Sequence, residues 1–174
     1  YEYDTAGRRT SMRTFRDENG DGDETRWEYD HVTGLLTNKV YTDGSRVTYT
    51  YTQNGRLATR TWSRGVTTSY DYDALGQLAG IAYSDTTPDV SFAYDRLGRM
   101  VSAITAVSSN LFEYTGLDLV GEIQDSVAIT RSYDGLGRST GFALDGDYAV
   151  SYGYDDFGRL HSVSSSVCSV CSVV

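Results

Sequence analysis

One lysine, one proline, two histidines and two cysteines are all that the 174 residues hold of those types. Each scarcity excludes something. Lys39 and fourteen scattered arginines form no basic run, and the net charge is −9. Binding to phosphate backbones needs dense cations, so no nucleic-acid or anionic-membrane partner is expected. No apolar run reaches 18 residues, so no membrane span is expected either. Ala, Leu, Glu and Lys fall nowhere at helical spacing, which removes the signal for helices. The lone Pro88 stands in SDTTPD, a turn-like stretch. What is abundant is fifteen tyrosines with many Thr, Ser and Val, residues that suit a pleated, half-exposed surface. The chain opens YEYD, without Met or leader, and reads as a piece of a longer polypeptide.

The chain is a repeat. Copies read YDTAGRR (3–9), YDHVTGLL (29–36), YTQNGRL (51–57), YDALGQL (72–78), YDRLGRM (94–100), YDGLGRS (133–139) and YDDFGRL (154–160), with a degraded copy, EYTGLDLVGEI, at 113–123. Successive key tyrosines at 3, 29, 51, 72, 94, 114, 133 and 154 are 26, 22, 21, 22, 20, 19 and 21 residues apart. Asp followed three residues later by Gly is the preference of a type I turn. The Asp carboxylate can hold its own backbone two residues on, and Gly takes φ > 0 as the chain enters the next strand. The motif is therefore a β-hairpin tip. The expected tip residues are Tyr72, Asp73 and Gly76; Tyr94, Asp95, Gly98 and Arg99; Tyr133, Asp134, Gly137 and Arg138; and Tyr154, Asp155, Gly158 and Arg159. Asp and Arg pair at the last three, and Tyr154 shares a face with Leu160.

Between tips the residues alternate, as in VTYTYT (47–52), and a second set of turns lies at the far end: TDGS (42–45), SRGV (63–66) and SDTTPD (84–89). The expected fold is all-β, a repetitive antiparallel hairpin meander of about sixteen strands, two per repeat. Repeats fill residues 1–160, with an acidic insertion at 17–24, and residues 161–174 form an atypical Ser/Val/Cys tail.

YDYDALGQL (70–78), FAYDRLGRM (92–100) and YGYDDFGRL (152–160) closely resemble the RHS/YD-repeat family. The resemblance covers essentially the whole chain. It departs at 29–36, which has an extra residue before Gly34 and no Arg, and at 51–57, where Thr52 replaces Asp. The resemblance implies an arc of a β-sheet strip that winds as a spiral into a hollow shell, as in bacterial wall-associated proteins, toxin-complex shells and teneurins. It implies a secreted or cell-surface bacterial setting, partners in the remaining repeats of the parent chain, and an enclosed toxin domain. The D-P-x-G motif of the family's self-cleaving core end is absent, since Pro88 is followed by Asp89. No catalytic residue is carried over, and the chain is expected not to be an enzyme.

Three features invite a functional reading. In DENGDGDETRWE (17–28), Asp17, Asn19 and Asp21 with Gly22 match D-x-[DN]-x-[DN]-G, and Glu28 falls at the twelfth position. With Asp23, these oxygens could coordinate Ca²⁺. The flanks read as strands rather than helices, so a solvated turn stands beside the calcium reading. Cys168 and Cys171 form C-x-x-C, but zinc needs two further ligands, and His31 and His161 are not at ligand spacing. The tyrosine rows could stack on sugar rings, which makes a surface glycan- or protein-binding module the alternative function. Their recurrence at the hairpin period favours packing against neighbouring strands. The function expected is a non-enzymatic segment of a shell wall.

Overall fold

The computed structural model describes residues 1–15, 20 and 22–167, which form sixteen β-strands in two units divided after Asp89. The first unit runs β1 (Glu2–Tyr3), β2 (Arg9–Thr14), β3 (Asp23–Tyr29), β4 (Leu36–Val40), β5 (Arg46–Tyr51), β6 (Leu57–Thr61), β7 (Thr67–Tyr72) and β8 (Leu78–Tyr83). The second runs β9 (Val90–Tyr94), β10 (Met100–Thr105), β11 (Ser109–Thr115), β12 (Asp118–Gln124), β13 (Val127–Tyr133), β14 (Ser139–Leu144), β15 (Tyr148–Tyr154) and β16 (Leu160–Val167). Within each unit every strand pairs antiparallel with its neighbour in sequence, and the described strands do not close on themselves. Residues 161–167, set apart from the repeat by composition, continue β16.

The tips follow from their residue types. Asp95 N–H donates to Arg99 O at 2.9 Å and Gly98 N–H donates to Asp95 O at 3.0 Å. Gly98 has φ +78, which L side chains resist. The pattern recurs at Asp4, Asp73, Asp134 and Asp155, and in the far-end turns at Tyr41–Ser45 and Trp62–Val66. In the second unit two far-end turns instead put Asp125 (φ 56) and Asp145 (φ 48) in the left-handed region, where Asp is tolerated because its short carboxylate bonds locally. Asp125 N–H donates to Ser109 O, and its Oδ1 accepts from Ser109 N–H. Asp145 does the same with Ala128. Ser84 pins the open end of its hairpin to Thr67 in the same two-point way.

One element is not legible in the alternation. Every tip is followed by a β-bulge. Tyr133 pairs with Ser139 but Ser132 pairs with Gly141, so Thr140 is extra. Thr10, Thr37, Ala58, Ala79, Val101, Val120 and His161 occupy the same place in the other repeats. A bulge raises the local twist and frees part of the ladder.

Burial is sparse. Val40 and Val47 are the only buried apolar side chains among the described residues, and the accessible surface is 12211 Å². A compact domain of 19.2 kDa would expose about 8,400 Å² by the usual scaling. Within each unit strands contact only their neighbours in sequence, so each unit is a single-layer sheet. In the first unit one face carries a side-chain ladder: Asn38 Nδ2 donates to Glu28, Thr48 Oγ1 to Asn38, and the hydroxyls of Thr61 and Thr67 meet at 3.0 Å. The opposite face carries Trp27, Tyr49 and Trp62, with Arg9 and Lys39 over Trp27 and Arg60 over Trp62 at 3.5 Å.

With so little core, turn geometry carries much of the stability. Gly98→Val is expected to cost about 1–3 kcal/mol and to lower the melting temperature clearly more than Val101→Thr, a substitution at the bulge that keeps β-branching. Thermal unfolding followed by far-UV circular dichroism checks this; equal losses would refute the left-handed requirement at Gly98.

Candidate functional site

The tip edge carries the densest set of specific contacts, and each contact starts from one residue of the repeat. Asp134 Oδ1 accepts the backbone N–H groups of Leu136 (2.9 Å) and Arg138 (3.0 Å), while Oδ2 accepts Arg138 Nε at 2.7 Å. Asp4–Arg8, Asp95–Arg99 and Asp155–Arg159 repeat the arrangement at 2.7, 2.7 and 2.8 Å. One carboxylate thus closes the turn and fixes the guanidinium.

The guanidinium then reaches the next repeat, from Arg56 too, whose tip has Thr52 in place of the aspartate. Arg8 lies over Tyr29 at 4.6 Å, Arg56 over Tyr72 at 5.6 Å, Arg99 over Tyr114 at 4.1 Å and Arg138 over Tyr154 at 4.5 Å. These are cation–π distances. Gly76 makes room for Arg56, whose guanidinium would clash with any Cβ added there. Arg99 Nη1 donates to Gly116 O at 2.6 Å. Arg159 has no tyrosine after it in the chain and turns to Phe157 instead. Its side chain is 75% exposed, against 33% for Arg138. The difference measures what a following repeat covers.

The tip tyrosine is a hook, with or without a guanidinium over it. Tyr29, Tyr51, Tyr72, Tyr114, Tyr133 and Tyr154 each donate their hydroxyl to a carbonyl of the preceding repeat: Arg9, Leu36, Leu57, Met100, Leu119 and Ser139, at 2.7–3.1 Å. Each acceptor is the residue just before the bulge. There the strand leaves the ladder, so a backbone carbonyl is open to a side-chain donor. Bulge, tyrosine and arginine form one joint between repeats. Sequence reasoning places Tyr and Arg at the tip and has the tyrosines pack against neighbouring strands, from their recurrence with a period near 21 residues; it misses the hydroxyl bond to the carbonyl before the bulge and the reach of the arginine to the next repeat.

The carboxylates of Asp4, Asp95, Asp134 and Asp155 are held below the ordinary carboxylate range, first by the backbone N–H four residues on and then by the arginine side chain. Asp30, whose tip has no arginine, is lowered by the Thr33 N–H and hydroxyl.

The other candidates disperse. Asp17, Asn19 and Asp21 lie outside the described residues, as do Cys168 and Cys171. Asp23 opens β3 and Glu28 stands five residues along it, about 16 Å away at strand rise. Glu28 is bonded by Asn38 Nδ2 at 3.0 Å in the polar ladder, so these two carboxylates are not brought together. Among the described residues no three His, Cys, Asp or Glu side chains are grouped to hold a metal ion. His31 sits on a tip and His161 at a bulge, both exposed.

No family model and no curated protein matches the chain. Solved structures do. A crystal structure of TcdB2–TccC3 aligns over 92% of this chain with a TM-score of 0.54 and 20% identity. The fold is similar to that of a stretch of TcdB2–TccC3. A crystal structure of TcdB2–TccC3–Cdc42 aligns over 93% at TM-score 0.54 and 21% identity, and a Photorhabdus luminescens Tc holotoxin pore with a mutated TccC3 over 91% at 0.54 and 20%. This chain spans about 9% of the length of each of those chains. The likeness is one of fold: an all-β hairpin repeat consistent with the RHS/YD-repeat pattern read in the sequence.

Two outcomes follow from the joint. Tyr133→Phe removes one hydrogen bond without changing packing and is expected to cost about 1 kcal/mol, read from urea unfolding; no loss would mean that the hydroxyl bond is not part of the joint. The tip carboxylates have lowered folded-state pKa values, so their contribution is complete above the unfolded-state value of about 3.9 and is lost as pH falls through the folded values. The triple variant Asp95→Asn, Asp134→Asn, Asp155→Asn should melt below the parent protein at pH 7, and the gap should narrow steadily below pH 4. A gap that stays constant to pH 2 would exclude the carboxylate charge as its source.

Proposed function

We propose that the chain is a non-enzymatic wall segment of an RHS-type β-sheet shell, part of a larger secreted or cell-surface bacterial protein of the toxin-complex kind. The observation that carries this reading is the single-layer sheet of each unit, with two buried apolar side chains among the described residues. A globular binding domain of this length would bury a core, whereas a wall gains its stability from repeat-to-repeat joints and from neighbours on its edges. The specific groups of the repeat are engaged in those joints. The rings of Tyr29, Tyr72, Tyr114 and Tyr154 have arginines over them, so those faces are not offered to sugar rings, which weighs against a glycan-binding module. The remaining repeats of a parent chain are the first partner of such a segment. An enclosed toxin domain is the partner that a hollow shell would have, and its chemistry lies outside this segment.

Electron cryomicroscopy of the complete polypeptide that carries this segment tests the reading. The sixteen strands are expected within the wall of a closed shell, with further hairpins paired to β1 and β16. Density showing the segment projecting from the body as a free module, together with specific signals from the isolated segment on a glycan array, would replace the wall by a binding function.

A further inference from the structure

The tip at 51–57 is held more loosely than the tips closed by aspartate and arginine. At Asp4, Asp95, Asp134 and Asp155 one carboxylate accepts the backbone N–H groups two and four residues on and the Nε of the arginine. Thr52 stands in that place here. Its single hydroxyl accepts Arg56 N–H at 3.2 Å, and the bonds that a carboxylate would give to Asn54 N–H and Arg56 Nε are missing. Arg56 is exposed, where Arg8, Arg99 and Arg138 are half-buried. It stands 5.6 Å from its tyrosine ring, against 4.6, 4.1 and 4.5 Å for those three.

The same tip places Asn54 directly before Gly55, and both are exposed. The carbonyl carbon of an asparagine side chain is an electrophile, and the next backbone nitrogen can close a five-membered ring on it. Glycine hinders that closure least, having no Cβ. Gly55 has φ +74, and the nearest atom to a Cβ built on it is Leu35 Cδ1 at 4.0 Å, so its surroundings are open. Within the fold the nitrogen is tied by one bond, Gly55 N–H donating to Thr52 O at 2.9 Å. Local opening of the turn releases it. At an aspartate tip the carboxylate bonds would have to be given up as well; at 51–57 only the hydroxyl bond of Thr52 is. The other described asparagines are placed differently. Asn38 and Asn110 lie within β4 and β11, before Lys39 and Leu111, and the Asn38 amide is engaged by Glu28 and Thr48.

We propose that Asn54 is a modification site, deamidated through a succinimide formed with Gly55. In the first step Gly55 N gives up its proton and bonds to Asn54 Cγ; the Cγ–Nδ2 bond breaks and the nitrogen leaves as ammonia. In the second step one water opens the ring. Attack at Cγ gives aspartate. Attack at the α-carbonyl gives isoaspartate, in which the backbone runs through Cβ and Cγ. Ammonia is lost, water is gained, and nothing is oxidised or reduced. Both products add a negative charge beside Arg56. The isoaspartyl link also lengthens the tip backbone by one carbon, which the turn geometry set by the Gly55–Thr52 bond does not accommodate. The modification therefore falls on the joint that Arg56 makes with Tyr72.

Incubation of the 174-residue chain at mildly alkaline pH, followed by tryptic peptide mass mapping, tests this. Cleavage after Arg46 and Arg56 isolates Asn54 in peptide 47–56, apart from Asn38 and Asn110. That peptide is expected to gain the mass difference between a hydroxyl and an amino group and to split into two products on reversed-phase chromatography, while the peptides holding Asn38 and Asn110 keep their mass. Thr52→Asp restores the carboxylate. It is expected to slow the reaction in the folded chain about five- to tenfold, the ratio that about one further hydrogen bond closing the tip commands, and to leave the rate in urea unchanged. A peptide 47–56 that stays unmodified while the urea-unfolded chain reacts overturns the proposal, and so does an equal rate in the folded parent and Thr52→Asp chains. Neither result bears on the wall reading, which is decided by where the strands lie in the complete polypeptide.

Discussion

The joint between repeats is the constraint on which the rest depends. A single-layer sheet has almost no interior, so the hydrophobic term that dominates most folds is thin here. What takes its place is a periodic set of directional contacts: a carbonyl exposed by a bulge, the tyrosine hydroxyl that takes it, and the arginine that lies over the ring. Arg8, Arg99 and Arg138 are each fixed by an aspartate of their own tip before they reach the neighbour, so little side-chain freedom remains to be lost on stacking. The strongest illustration is Arg159, which keeps its aspartate but has no following tyrosine, and is far more exposed than Arg138.

The two edges of the strip use different devices for the same purpose. At the tips, side chains connect successive hairpins. At the far end, Asp125, Asp145 and Ser84 extend backbone pairing beyond the last ladder position and hold each hairpin closed. The asymmetry fits tips that keep closer to one sequence pattern than the far-end turns do. A tip residue must fit its neighbours, whereas a far-end turn needs only one donor and one acceptor at the right place.

The single-layer sheets fit a segment that works inside an assembly. The faces differ in the first unit, one carrying the Glu28–Asn38–Thr48 ladder and the other aromatic rings with cations. Glu28, read in the sequence beside the acidic loop as a calcium ligand, is occupied by that ladder at the opposite end of its strand. The linear spacing of an ion-binding loop says nothing of direction; once β3 runs as a strand, five residues carry Glu28 away from Asp23.

The sequence by itself determined the repeat, the class and the turns. Asp with Gly three residues on encodes the tip in local energetics, and Thr/Tyr alternation encodes strands with two faces, so the all-β meander could be read before any coordinates. Asp95–Arg99 and its counterparts were equally local, four residues apart. Tertiary structure alone decided what crosses from one repeat to the next. The bulges at Thr140 and its equivalents leave no mark in residue type, because a bulge is a mismatch between two strands and exists only once both are paired. The carbonyl that Tyr133 takes, the ring that Arg138 covers and the space that Gly76 leaves for Arg56 all depend on that pairing. Local turn energies are written in neighbouring residues; the joint is written about 21 residues apart and becomes visible only when the strands lie side by side.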